Sequence, residues 1–172
     1  MAAGAASAAL AEGSTVRVGS GFDVHAFGPG DTLVLGGVRI PHSRGIVAHS
    51  DGDVLLHALV DALLGAAGLG DIGQHFPDSD PRWKGADSAR FLATTLELLA
   101  RREQRVVNVD LTLLAQAPKI SPWRDEIRRS VAIKLSLPES SVNLKATTTE
   151  HLGFIGRNEG LAAMATVLID DV

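Results

Sequence analysis

The sequence predicts a single α/β or α+β domain in which helices cover one face of a β-sheet. Three observations lead there. Stretches with apolar residues at every second position alternate with stretches at helical spacing, no segment repeats another, and 172 residues suffice for one core with nothing large left over. The hydrophobic class makes up 45% of the chain, close to the globular average and enough for a core of that size.

The elements follow in order. Residues 1–14 are low-complexity alanine with one charge, Glu12, and no arginine. A secretory signal needs a basic start and a transit peptide is rich in Arg and Ser, so this stretch reads as a disordered or trimmed leader, and residues 15–172 as the domain. Thr15-Val-Arg-Val alternates as a half-buried strand does. Thr32–Leu35 and Val38–Ile40 flank Gly36-Gly37, a two-residue hairpin signal. A helix is expected from about Asp53 to Ala67, capped by Ser50 or Asp51, and a second from about Asp87 to Arg102 with Phe91, Leu92, Leu96 and Leu99 in one stripe. Val106–Leu114 reads as a strand with Val107, Val109, Leu111 and Leu113 on one side. A third helix begins near Pro122, carries Ile127, Val131 and Leu135, and ends by Pro138. Val142–Thr147 and Leu161–Ile169 complete the strands, the last after a glycine-bracketed loop at Gly153–Gly160.

Composition removes several functions. Sixteen Lys+Arg against 20 Asp+Glu give a net charge of −4, and aromatics are 4%, so the chain lacks the basic surface and stacking platforms of a nucleic-acid binder. No apolar run approaches the roughly 20 residues that cross a bilayer. The absence of cysteine excludes disulfides, thiolate metal sites and cysteine nucleophiles, so any metal must be held by His and carboxylates.

Four segments carry chemistry. In Gly19-Ser-Gly-Phe-Asp-Val-His25, Asp23 and His25 are two apart and point the same way in an extended chain, while the glycines permit a sharp turn or close approach by a ligand. Taken alone, Asp-x-His fits a capped turn as well as a metal site. His49-Ser-Asp-Gly-Asp-Val-Leu-Leu-His57 leads into the first helix, where Asp53, His57 and Asp61 share a face and the two carboxylates are placed to orient the imidazole. Asp23, His25 and His57 together have the donor set of a catalytic zinc site with one open position. Ser50 at a helix start, Lys119, and the run Lys145-Ala-Thr-Thr-Thr-Glu150 are candidates for phosphate, although threonine runs also suit strand packing. Gly70–Asp80 reads as a long Gly-, Pro- and Asp-rich loop, either plain surface or a binding flap.

The stretches RVGSGFDVH, LGGVRIP, AHSDGDVLLHALVDALLGAAGLGDIG, FPDSDPRWKGADS, AQAPK and NLKATTTEHLGFIGRNEG resemble, in this order, the 2-C-methyl-D-erythritol 2,4-cyclodiphosphate synthase family. The likeness runs from about Arg17 to the C-terminus. It implies a small mixed sheet with helices on one face, and a homotrimer packed by its sheets with active sites between subunits. It implies zinc, one per subunit, on Asp23, His25 and His57, with Val24 beside them at the substrate. It assigns His49 and Ser50 to the substrate phosphates, and His49 and Thr148 to transition-state stabilisation. Asp71, Ile72 and Gly73 take the methylerythritol phosphate, and Phe76, Pro77, Asp78, Ser79 and Asp80 form the flap beside it. Ala115, Gln116, Ala117, Pro118, Lys119, Ile120 and Ser121, with Thr147, Thr148, Thr149 and Glu150, hold the cytidine nucleotide. Glu150 also serves a second divalent cation, Mg2+ or Mn2+, while Phe154 and Arg157 are further ligand contacts near the trimer axis.

The implied reaction is a lyase step of isoprenoid-precursor synthesis. The 2-phosphate of a cytidine-diphosphate-linked substrate attacks its own β-phosphorus and CMP leaves, so the protein needs no nucleophile of its own. A zinc-dependent phosphohydrolase and a non-catalytic zinc-stabilised nucleotide-binding module are the rival readings. The expected compartment is the cytoplasm, or the plastid for a plant or alga.

Overall fold

Strand β1 runs from Val16 to Gly28, straight through the glycines at which the sequence suggests a turn. The computed structural model describes residues 15–77 and 79–172; the expected leader at 1–14 and the flap residue Asp78 lie outside them. What approaches the glycines is a helix. A Cβ on Gly19 would fall 2.0 Å from the Ala62 carbonyl oxygen, and one on Gly21 equally close to that of Ala58. Both partners belong to α1 (Val54–Ala67), which lies across the strand. Strand glycines here serve close backbone packing rather than a bend.

β2 (Thr32–Leu35) and β3 (Val38–Pro41) form the expected hairpin, separate from the main sheet. Gly36 and Gly37 both adopt positive φ, 61° and 81°, as a primed two-residue turn requires. The remaining strands are β4 (Gly45–Ile46), β5 (Gln104–Leu114), β6 (Val142–Thr147) and β7 (Gly160–Asp171), in the sheet order β4-β1-β7-β5-β6. β5 and β6 are parallel and the other neighbours antiparallel, so the sheet is mixed. One expectation about β5 fails. A bulge between Val106 and Asn108 puts Val106, not Val107, on the core side with Val109, Leu111 and Leu113. An extra residue in one strand shifts the alternation by one, which strict period-2 reading cannot register.

α1 is buried nearly all round, as a central helix must be, and its N-cap is Asp53 rather than Ser50 or Asp51. α2 (Ile72–His75) and a 3₁₀ turn at Pro81–Trp83 break up what reads as one long loop. α3 (Ser88–Ala100), α4 (Arg124–Leu135) and α5 (Gly153–Gly156) complete the helices. β7 turns Leu161, Ala163, Ala165, Val167 and Ile169 into the core, and the two alanines keep the sheet low under α1. The opposite face of the sheet presents Val18, Phe22, Val24 and Met164, each 44–67% exposed. Among the described residues no helix is long and apolar enough to cross a membrane.

Candidate active site

The close fit of Gly21 under Ala58 sets the site. Two residues beyond Gly21, Asp23 and then His25 point from the same face of β1 toward the helix; one residue before Ala58, His57 points down from α1. His57 Nδ1 lies 3.0 Å from Asp23 Oδ2 and 3.1 Å from His25 Nε2, and the third edge of the triangle is 3.2 Å. Tetrahedral bonds of roughly 2.0–2.1 Å to one ion require donors about 3.3 Å apart, so the three atoms fit one face of such a polyhedron and leave a fourth position open. Two imidazoles and a carboxylate are donors that a divalent ion of this kind takes. Burial pushes His25 below its ordinary pKa, against the pull of Asp23, so its ring stays neutral and its lone pair available.

The carboxylates expected to orient His57 do not touch it. Asp53, fully buried, accepts from the backbone N–H of Gly36 (2.9 Å), Gly37 (2.6 Å) and Leu56 (3.1 Å), which ties the hairpin turn to the start of α1. Burial nevertheless pushes its carboxyl up to about 6. Asp61 accepts from Ile72 N–H at 2.9 Å and anchors α2. His57 instead directs Nε2 at Ser88 Oγ (2.9 Å) and Ser50 Oγ (3.1 Å). Ser88 donates its hydroxyl to Asp51.

The triangle opens into a cavity of about 530 Å³. His49, Ser50, Ile72, Gly73, Phe76 and Pro77 are among the residues that line it. Sequence reasoning missed five further lining residues, Val47, Ala48, Trp83, Lys84 and Phe91. Phe91 counts only as part of the apolar stripe of α3, yet its ring lies 5.8 Å from that of His57 and stacks on Phe76 at 4.8 Å. Trp83 meets both phenylalanines edge-on, at 5.1 and 5.4 Å. Among the described residues lining the cavity, Lys84 is the one Lys or Arg, held beside His49 because Gly85 N–H donates to the His49 carbonyl at 2.6 Å. No local pattern distinguishes it from a surface lysine.

Not every expected residue lines this cavity. Val24 faces the other side of the sheet. Asp71 caps α2 and Asp80 caps the 3₁₀ turn while pairing with Arg82; Ser79 is exposed. Arg157 pairs with Glu159 beyond α5, and Phe154 is 40% exposed. The nucleotide segments gather elsewhere: Ala115 N–H donates to the Thr147 carbonyl at 3.0 Å, joining 115–121 to 147–150 where the parallel strands β5 and β6 end. There Thr148 Oγ1 donates to Glu150 at 3.0 Å, and Glu150 adopts a φ of 49°. Asp23, Ala163, Leu113 and Ala146 form one row across the sheet, so the two places share a sheet end three strand spacings, about 14 Å, apart.

Comparison with known proteins agrees with this architecture. A 2-C-methyl-D-erythritol 2,4-cyclodiphosphate synthase of Xylella fastidiosa (strain 9a5c) is 59% identical over 157 residues, 91% of this chain and 89% of that protein. One of Pseudomonas aeruginosa (strain UCBPP-PA14) is 59% identical over 154 residues, 90% of this chain and 98% of that one. Among solved structures, the CDP complex of Plasmodium falciparum IspF is similar with a TM-score of 0.79 at 37% identity, covering 90% of this chain and 95% of that one. The bifunctional IspDF of Campylobacter jejuni is similar with a TM-score of 0.89 at 44% identity over 92% of this chain, which spans only 43% of that longer protein. The sequence profile of the YgbB family matches residues 16–170, and the chain belongs to that family.

Proposed function

We propose that this chain converts 4-diphosphocytidyl-2-C-methyl-D-erythritol 2-phosphate to 2-C-methyl-D-erythritol 2,4-cyclodiphosphate. An oxygen of the 2-phosphate bonds to the β-phosphorus, the bond from that phosphorus to the bridging oxygen breaks, and CMP leaves with the α-phosphate. The observation that carries this is the triangle of Asp23, His25 and His57 in a cavity of about 530 Å³, in a chain 59% identical to a synthase of that name.

Because the nucleophile belongs to the substrate, the protein's task is to hold two anionic groups in line, a service that can remove up to ~7–11 kcal/mol of barrier. Ser50, His49 and Lys84 bind the 2-phosphate at the cavity wall, and Asp71, Ile72 and Gly73 hold the polyol. Phe76 and Pro77, backed by Phe91 and Trp83, give that wall an apolar lining that keeps water from the diphosphate. Ser79 and Asp80 continue this wall as part of a flap. Zinc on Asp23, His25 and His57 supplies Lewis-acid polarisation of the β-phosphate when bound, and Mg2+ or Mn2+ at Glu150 offsets the charge of the leaving nucleotide. The segment from Ala115 to Ser121, with Lys119, and the threonines 147–149 hold the cytidine nucleotide; Thr148 and His49 meet the charge that develops on the phosphoryl oxygens.

A homotrimer belongs to this reading. Nucleotide segment and metal triangle lie about 14 Å apart in one chain, and an apolar sheet face carrying Phe22 and Met164 stands exposed. Packing three such faces places the 115–121 and 147–150 segments of one copy over the cavity of the next, with Phe154 and Arg157 toward the axis. The bacterial sources of the Xylella and Pseudomonas relatives support a cytoplasmic location.

The test is incubation of the purified protein with the substrate and Mg2+, with and without a zinc chelator, followed by phosphorus NMR. A cyclic diphosphate plus CMP, lost on chelation and restored by zinc, is expected. Two linear phosphates would mean hydrolysis by water and would overturn the assignment, as would full turnover in the chelated sample.

A further inference from the structure

The ring nitrogen of His57 that points away from Asp23 and His25 ends a chain of hydrogen bonds that starts on a carboxylate. Asp51 accepts the backbone N–H of Ser88 at 3.1 Å on one oxygen and the Ser88 hydroxyl on the other. A serine hydroxyl has one proton. Given to Asp51, it leaves only lone pairs facing His57 Nε2, 2.9 Å away. Ser50 Oγ, 3.1 Å from the same nitrogen, accepts the Gly52 N–H and keeps a second lone pair that can accept there. The reverse arrangement, with the fully buried Ser88 donating to Nε2, would set its lone pairs against the half-buried Asp51 carboxylate, a repulsive contact.

The two ring nitrogens of His57 therefore face competing acceptors. Asp23 Oδ2, 3.0 Å from Nδ1, draws the ring proton to the metal side, where it would block coordination. We propose that Asp51, acting through Ser88, is the positioning residue that wins this contest: it holds the His57 proton on Nε2 and turns the Nδ1 lone pair toward a divalent ion. The inference rests on the metal reading above. It assigns Asp51 and Ser88, rather than Asp53 or Asp61, the support that a metal-bound imidazole requires.

In metal-free, 15N-labelled protein, long-range proton–nitrogen correlation should show His57 protonated at Nε2 and bare at Nδ1. Asp51→Asn reverses the chain: its amide donates to Ser88, whose hydroxyl then turns to Nε2 and drives the ring proton to Nδ1. That variant should show the switched tautomer and bind zinc ten- to a hundredfold more weakly in competition with a chromogenic chelator. Ser88→Ala should move affinity the same way by less, since Ser50 remains. A parent protein protonated at Nδ1 would overturn the proposal without recourse to any variant, as would folded variants that keep parental zinc affinity. Failure of the metal reading is separable: the parent would then hold no stoichiometric zinc, and Asp23→Ala would change nothing, whatever the tautomer.

Discussion

Gly21 lies directly beneath Ala58, so close that a Cβ on the glycine would fall 2.0 Å from the Ala58 carbonyl oxygen. This contact sets the height of α1 above β1, and with it the reach of His57 to Asp23. Gly21→Ala should lift the helix. The obstacle is backbone, which cannot rotate away, so the loss should meet or exceed the ~1–3 kcal/mol of ordinary overpacking. Zinc affinity should fall with it, because a triangle with edges of 3.0–3.2 Å has little slack. Urea unfolding and chelator competition check both; unchanged midpoint and affinity would show that the helix height is not set there.

Asp53 predicts a pH dependence. Burial raises its folded carboxyl from 3.8 to about 6, so between those values the unfolded chain ionises first and the folded state keeps its proton. The stability this contributes is full below about pH 4 and is lost as pH rises through 6, an effect on the order of 3 kcal/mol. Asp53→Asn has no such titration. The difference in unfolding free energy between parent and variant, both metal-free, should move against the parent from pH 4 to 6 and level off above 7. A difference independent of pH would contradict it.

Metal binding should be visible as stability. Zinc at 100 times its dissociation constant should add about 2.7 kcal/mol to the folded parent, read as a higher Tm that a chelator reverses. His57→Ala should abolish the shift along with cyclisation, and should also lower metal-free stability, since Ser88 and Ser50 lose their partner. A zinc-dependent Tm rise of parental size in that variant would remove His57 from the ligand set.

Lys84→Met keeps the length of the side chain and removes its charge from the cavity wall. A charge-assisted hydrogen bond to phosphate is worth ~1.5–3 kcal/mol, so KM should rise about ten- to a hundredfold. Lys84→Arg should recover part of it. A loss confined to kcat would place Lys84 in the transition state instead of in ground-state binding.

Local rules make much of this molecule legible. Period-2 alternation puts Asp23 and His25 on one face, Gly36-Gly37 marks the hairpin, and four-residue spacing marks α4. Each depends on neighbours within one element. The rules fail where a contact crosses elements. Gly19 and Gly21 read as a turn or ligand approach because nothing nearby announces a helix lying on them. The side of Val107 is misread because a bulge leaves no mark in polarity. Asp53 sits at the right spacing to serve His57, but three backbone N–H groups, two of them from the hairpin, claim its oxygens first.

The sequence by itself determined the long helices, most of the strands, the donor types and the family likeness, because side-chain chemistry and periodicity are written residue by residue. Only the tertiary structure decided which side chains meet His57. Ser88 is 31 residues from His57 and meets it because small residues let α1 settle onto the sheet while α3 closes from the side. That meeting is a consequence of packing, and packing has no period.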